Sequence, residues 1–110
     1  MSSDTVALLQ QLIRNRCVND GSPDSGNEHR SVATLADFFG AGGTVVEPHP
    51  GRQSVVYRVA GTDPTAPALT LLPHLDVVPV TEASWQHDPF GGEIIDGSIW
   101  GRGALDMLNL

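Results

Sequence analysis

The sequence predicts an α/β domain, two N-terminal helices packed on a mixed β-sheet. Three observations carry this. Two segments near the start repeat their apolar residues at helical spacing. From Thr44 onward the period shortens towards two, and β-branched residues become frequent. The run Ala68-Leu69-Thr70-Leu71-Leu72 is apolar on both faces, as expected of a central strand covered on both sides. Helices first and strands after them are the order of helices layered on a sheet.

Each element has a local reason. Asp4 to Arg14 is predicted as a short helix, because Val6, Leu9 and Ile13 fall at i, i+3 and i+7, with Leu8 and Leu12 widening the stripe. Ser3 or Asp4 can cap its start. Asn19-Asp20-Gly21-Ser22-Pro23 breaks the pattern as a loop. Ser25-Gly26-Asn27-Glu28 has the capping-box form, with Ser at the cap and Glu three residues on. A second helix should then run to about Phe39, turning Val32, Leu35, Ala36 and Phe39 to the core, and Gly40 can stop it with positive φ. Thr44 to Glu47 is a short strand, Pro48 to Gly51 a turn, and Ser54 to Val59 an alternating strand with Val55, Tyr57 and Val59 on one face. Gly61 to Pro67 is a loop before the apolar run. Pro79 ends the strand region. Further on, Asp96-Gly97 between Glu93-Ile94-Ile95 and Ser98-Ile99-Trp100 is the signal of a two-residue type I′ hairpin.

Composition narrows the function. A chain of 110 residues holds one domain at most. Its 40% hydrophobic and 17% charged residues are those of a globular chain. The formal net charge is −7, with six arginines and no lysine. Such a surface has no basic stripe to follow phosphates and is repelled by anionic membranes, so neither nucleic acid nor membrane is an expected partner. No apolar run reaches the roughly 18–20 residues of a membrane span. Residues 1–20 lack the basic and apolar regions of a signal peptide, so a cytoplasmic location is expected. Cys17 is the sole cysteine, which leaves no internal disulfide and no thiolate metal cluster. It could be a nucleophile activated by Arg14 or Arg16, but is read as a half-buried small apolar residue.

The chemistry concentrates between Leu71 and Asp106. His74-Leu75-Asp76 follows the apolar run, where sites collect at strand ends in α/β sheets. In an extended backbone the two side chains leave on one face. That suits an imidazole ligand whose second ring nitrogen donates to a carboxylate. Alone the triplet is also compatible with a His–Asp pair that merely closes a strand end. Asp106 follows Gly101-Arg102-Gly103, whose glycines permit close backbone approach. Imidazole and carboxylate donors together suit zinc, manganese or cobalt.

These motifs in this order resemble the M20 family of metallopeptidases, which includes acetylornithine deacetylase, succinyl-diaminopimelate desuccinylase, carboxypeptidase G2 and the aminoacylases. The residues that carry the resemblance are His74-x-Asp76-Val77-Val78-Pro79, Trp85-x-x-Asp88-Pro89-Phe90, Gly92 with Asp96-Gly97, and Gly101-Arg102-Gly103-x-x-Asp106-Met107. The resemblance implies that His74 binds one metal, that Asp106 bridges two, and that Asp76 orients His74. It implies two divalent ions, zinc foremost with cobalt or manganese as alternatives, and hydrolysis of an amide or peptide bond in a peptide or N-acylated amino acid. Leu108 departs from the lysine that the family commonly places there, which bears on subgroup and substrate. The family's Glu-Glu pair, its later carboxylate and distal His, and its inserted dimerisation domain have no counterpart here, since no acidic residue follows Asp106. Residues 1–110 are therefore expected to be the N-terminal portion of an incomplete zinc-peptidase-like catalytic domain, inactive alone, from a parent that could be a homodimer.

Two other functions stay open at this stage. One is a non-catalytic M20-like module. The other is a hydrolase using His74 and Asp76 as a general-base dyad, although no G-x-S-x-G nucleophile motif accompanies it. Among the remaining residues, His87 is expected in an exposed turn, His29 and His49 on the surface, and Trp85 and Trp100 in the core. Arg102 reads either as a bidentate partner for a substrate carboxylate or, preferably, as a structural ion pair holding its loop.

Overall fold

The computed structural model of the chain describes residues 3–110. Helix α1 is Ser3–Arg14, with Asp4 in its first turn and Arg14 in its last, the signs the helix dipole favours. Ser3 and Asp4 thus lie inside the helix, and the preceding position, where a cap would sit, falls outside the described residues. Helix α2 is His29–Phe39, and Gly40 ends it at φ 91 with its N–H donating to the Ala36 carbonyl.

The capping box does not form. Asn27 and Gly26 both have positive φ, and helix α2 starts after Glu28 without a side-chain cap. Ser25 Oγ donates to the Ser22 carbonyl instead. Glu28 is buried and takes a two-pronged bond from Arg52 Nε, at 3.0 and 2.8 Å. A buried carboxylate with a guanidinium in reach gains more from that partner than from the Ser25 backbone N–H that a capping box would give it. The pair ties the start of α2 to strand β2.

Strands β1 (Thr44–His49) and β2 (Arg52–Val56) pair antiparallel, with Thr44 opposite Val56 and an irregularity between Val46 and His49 that takes up Pro48. After Val56 the chain leaves the sheet, so β2 ends before the expected Val59. Tyr57 packs its ring 5.1 Å from Phe39, and its hydroxyl donates to the Gly40 carbonyl. Phe39 is therefore held at the surface against aromatic neighbours, and the expectation that it enters the core is corrected. Strands β3 (Ile94–Ile95) and β4 (Ser98–Ile99) form the expected hairpin, with Asp96 at φ 50 and Gly97 at φ 79, as a type I′ turn needs. A single 3₁₀ turn, Glu82–Ser84, lies before it.

The fold is α/β, and α2 packs on both α1 and β2. Its β structure, however, is two separate two-stranded antiparallel sheets and one parallel bridge between Val18 and Val77. The single mixed sheet expected from the sequence is absent among the described residues. The reason lies in residues 68–72. Their β preference is strong, but no described segment pairs with them, and Leu69, Leu71 and Leu72 stand 68–87% exposed. A strand exists only through its ladder, so an unpartnered run stays irregular whatever its propensity.

The core gathers elsewhere. Leu12 and Ile13 of α1 meet Val77, Phe90 and Leu108, with Leu8, Leu9, Val18, Val80, Ile99 and Ala104 around them. Helix α1 thus packs on the second half of the chain. Gly101 makes this possible, since a Cβ there would lie 2.5 Å from Ile13 Cγ2. Gly103, at φ 86, lets the backbone settle against Val77 and Leu108 in the same way. Cys17 is fully buried beside Ser31 Oγ, further in than the half-burial expected of it. Among the described residues no helix is long and apolar enough to cross a membrane.

Candidate metal centre

The bridge between Val18 and Val77 is where the site begins. Val77 N–H donates to the Cys17 carbonyl and Asn19 N–H to the Val77 carbonyl, at 2.9 and 2.8 Å. The loop after α1 is thereby laid beside the end of the His74–Asp76 segment. On the opposite side, Gly103 packs on Val77, and Leu108 N–H donates to the Gly103 carbonyl. These contacts bring the turn holding Asp106 back over the same point. None of His74, Asp76 and Asp106 lies on a strand, so the expected placement at a sheet edge is replaced by three packed loops. The peptide bond after Asp106 is cis.

The three side chains meet. His74 Nδ1–H donates to the Asp76 backbone carbonyl at 2.8 Å and lies 3.2 Å from Asp76 Oδ1. His74 Nε2 lies 3.1 Å from Asp106 Oδ1. Asp76 Oδ2 accepts from Asn19 Nδ2 at 2.8 Å. The Asn19 amide is oriented for that bond, because its Oδ1 already accepts the Gly21 N–H. Asn19 was read from the sequence only as a loop residue. Nothing in the sequence links it to Asp76, 57 positions away, before the bridge at Val77 is known.

The bonding around His74 has a chemical consequence. A carbonyl can only accept, so Nδ1 carries a proton. In the neutral ring Nε2 is then a lone pair, and it faces a carboxylate that also only accepts. Two acceptors at this distance require a positive charge on the ring or between them. The surroundings of His74 act in the same direction. Burial alone would lower its pKa, but the bonds to the Asp76 carbonyl and the Asp106 carboxylate, with the charges of both carboxylates, raise it above the ordinary 6.5.

The donor set can be tested against a metal. Two ligand atoms on a tetrahedral zinc stand ~3.3 Å apart, given bonds of about 2.0–2.1 Å. The His74 Nε2 to Asp106 Oδ1 separation is close to that, and the carboxylate behind the imidazole is the usual support of a histidine ligand. The residues therefore fit as two ligands of such an ion. Among the described residues no three or more His, Cys, Asp or Glu side chains are arranged so that all could hold one metal ion.

A cleft of about 1190 Å³ opens over these residues. Trp85, His87, Trp100 and Arg102 line it together with the hairpin. Trp85 and Trp100 are half-buried cleft walls and not members of the core cluster, which corrects the core assignment. His87 is half-buried and packs edge-on against Trp100 at 4.6 Å, so it is not the exposed turn residue expected. Flat aromatics beside a polar cleft keep one face dry and the other open, which burial patterns in a sequence do not separate from core. Arg102 makes no ion pair among the described residues, contrary to the structural role preferred above. Its guanidinium lies over the Trp85 ring at 5.2 Å. His29 is exposed and His49 partly so, the latter bonded to Asp24.

Residues 70–109 match peptidase family M20/M25/M40. The chain is 41% identical to aminoacylase-1 of Sus scrofa over 104 residues, which are 94% of this chain and 25% of that protein. It is 41% identical to succinyl-diaminopimelate desuccinylase of Methylobacterium nodulans over 107 residues, 93% of this chain and 26% of that protein. To human aminoacylase-1 it is 38% identical over 104 residues, with 94% and 25% covered. The chain thus spans about a quarter of the length of these curated relatives. The family match thus falls on the stretch that carries the motifs, while the similarity to these relatives extends over more than nine-tenths of the chain.

Proposed function

We propose that this M20-related chain is the N-terminal, ligand-bearing portion of the catalytic domain of a metal-dependent hydrolase that cleaves amide bonds in N-acylated amino acids or peptides. In this reading His74 and Asp106 hold metal, and Asp76 positions His74. The observation that carries it is the approach of His74 Nε2 to Asp106 Oδ1, at 3.1 Å, a contact satisfied by a proton on the ring or by a metal ion held between the two atoms. The relatives' names, aminoacylase and succinyl-diaminopimelate desuccinylase, support an acylated amino acid as the substrate class.

When bound, two divalent ions of the zinc, cobalt or manganese type polarise the scissile carbonyl and acidify a water. The chain's own residues prepare for that. Asp76 fixes the ring of His74 so that Nε2 points outward, and Asn19 holds Asp76 in place. Asp106 sits at the rim with its side chain 89% exposed, where its carboxylate would hold metal. Trp85, His87 and Trp100 wall the cleft where an acyl group would lie and limit water around it. In this reading the base that activates water is supplied outside these residues, because the Asp76 carboxylate already accepts from Asn19 and lies against the His74 ring, 3.2 Å from Nδ1. A cytoplasmic location and a dimeric parent belong to the same proposal.

Zinc calorimetry tests the assignment. The 110 residues should bind zinc weakly, since they offer two ligands where a closed site takes four. The His74→Ala and Asp106→Ala chains should lose that binding. Tight, stoichiometric binding unchanged by either substitution would overturn the ligand assignment. No metal-dependent hydrolysis by the full-length protein would favour instead a non-catalytic module.

A further inference from the structure

We infer that Arg102 is the carboxylate-binding residue of the cleft, receiving the free carboxylate of the substrate while its amide faces His74 and Asp106. This rests on the hydrolase reading above for the identity of the ligand, but its geometry is independent of any metal.

Arg102 is the only Arg or Lys side chain among the cleft's lining residues, beside Asp76, Asp96 and Asp106. In an acidic chain such a cation should be neutralised by one of them. It is not. Asp106 is engaged by His74 and Asp76 by Asn19, and the Arg102 side chain has no hydrogen bond or ion pair among the described residues. Its one recorded partner is the Trp85 ring, over which the guanidinium lies. Its Nε is buried with no partner, alone of the buried side-chain nitrogens and oxygens described. A buried, unsatisfied donor on a charged group is costly and asks for an explanation.

The two terminal nitrogens are left as the groups open to the cleft. The guanidinium, placed over the Trp85 ring, is a planar fork, which matches a carboxylate through two parallel bonds. The backbone behind it is fixed, because Arg102 N–H donates to the Pro89 carbonyl at 2.7 Å. A carboxylate is also the group such an acidic cleft would otherwise repel. One arginine therefore distinguishes acylated amino acids with a free carboxylate from their neutral amides.

The test uses the full-length protein, stripped of metal with chelator, with N-acetyl-L-methionine and N-acetyl-L-methioninamide as probes. Calorimetry or tryptophan fluorescence should show the acid bound more tightly than the amide. Arg102→Met should cut that preference by about tenfold or more, the scale of a charge-assisted bond, with the amide's affinity unchanged. Arg102→Lys, which keeps the charge and loses the fork, should retain part of it. A residue that only held the loop would weaken both probes equally, and that result overturns the inference, as does an unchanged preference. A second measurement needs no variant. Phenylglyoxal modification of Arg102, mapped by mass spectrometry, should be slowed by the acid and not by the amide, and equal rates would overturn the inference. Protection without metal-dependent hydrolysis would sink the hydrolase reading and leave this subsite standing. Hydrolysis without protection would do the reverse.

Discussion

His74 Nε2 lies 3.1 Å from Asp106 Oδ1, across 32 positions of chain. No regular element carries either residue. Their meeting depends on two contacts that involve neither of their side chains: the Val18–Val77 backbone bridge and the packing of Gly103 on the Val77 side chain. The site is thus as stable as those contacts, and they can be tested apart from its chemistry.

The first prediction concerns protons. In the metal-free protein the His74 pKa should lie above 6.5, raised by the Asp76 carbonyl and the Asp106 carboxylate against the opposing effect of burial. A histidine whose folded pKa is raised contributes stability that is fully present below its unfolded pKa and is lost as pH rises through the folded value. Asp106→Asn should move the His74 pKa down. It should also destabilise the protein more at about pH 5.5 than at about pH 8.5. NMR titration of the ring and denaturant melts at the two pH values check this. An unmoved pKa in the variant would show that the two groups do not interact in solution.

A second prediction concerns Gly101 and Ile13. A Cβ at residue 101 would lie 2.5 Å from Ile13 Cγ2. Gly101→Ala should therefore destabilise by about 1–3 kcal/mol, the usual cost of overpacking. Ile13→Ala, which removes a core side chain 1% exposed, should cost about 2–5 kcal/mol. The double variant should be more stable than the sum implies, by at least ~0.5 kcal/mol, because the methyl added at one site enters space vacated at the other. Strict additivity would mean that α1 does not rest on this turn.

The third prediction is about turnover. The isolated 110 residues, given zinc, manganese or cobalt, should not hydrolyse acetylated or succinylated amino acids or dipeptides. Asp76 is occupied, and Glu93 and Asp96 stand exposed on the hairpin. A chain extended through its natural downstream sequence is the comparison. Metal-dependent turnover by the short chain that Asp106→Ala abolishes would place the base within these residues, or complete the site between copies.

Much of the local structure was legible in the residues themselves. Helix α1, the stop at Gly40 and the Asp96-Gly97 hairpin follow from spacing and from positive φ, which neighbouring residues decide. So does the order of motifs that carries the M20 resemblance. The failures share a cause. Ser25 to Glu28 had the form of a capping box, but Arg52 came within reach of Glu28 only after β2 folded back. Leu69 to Leu72 had the composition of a central strand, but a strand needs a neighbour, and none of the described residues provides one. Trp85, Trp100 and Arg102 looked like core and ion-pair residues, yet they line a cleft whose walls come from distant segments.

The sequence by itself determined which side chains carry donor atoms, those of His74, Asp76 and Asp106 among them, because such atoms are properties of residues. Only the tertiary structure decided what each of them faces. It set Asn19 behind Asp76, closed His74 onto Asp106 and left Arg102 without a counter-ion. Those relationships arise from packing between segments far apart in the chain, where van der Waals contact and a few backbone bonds choose one arrangement among many that the local pattern allows.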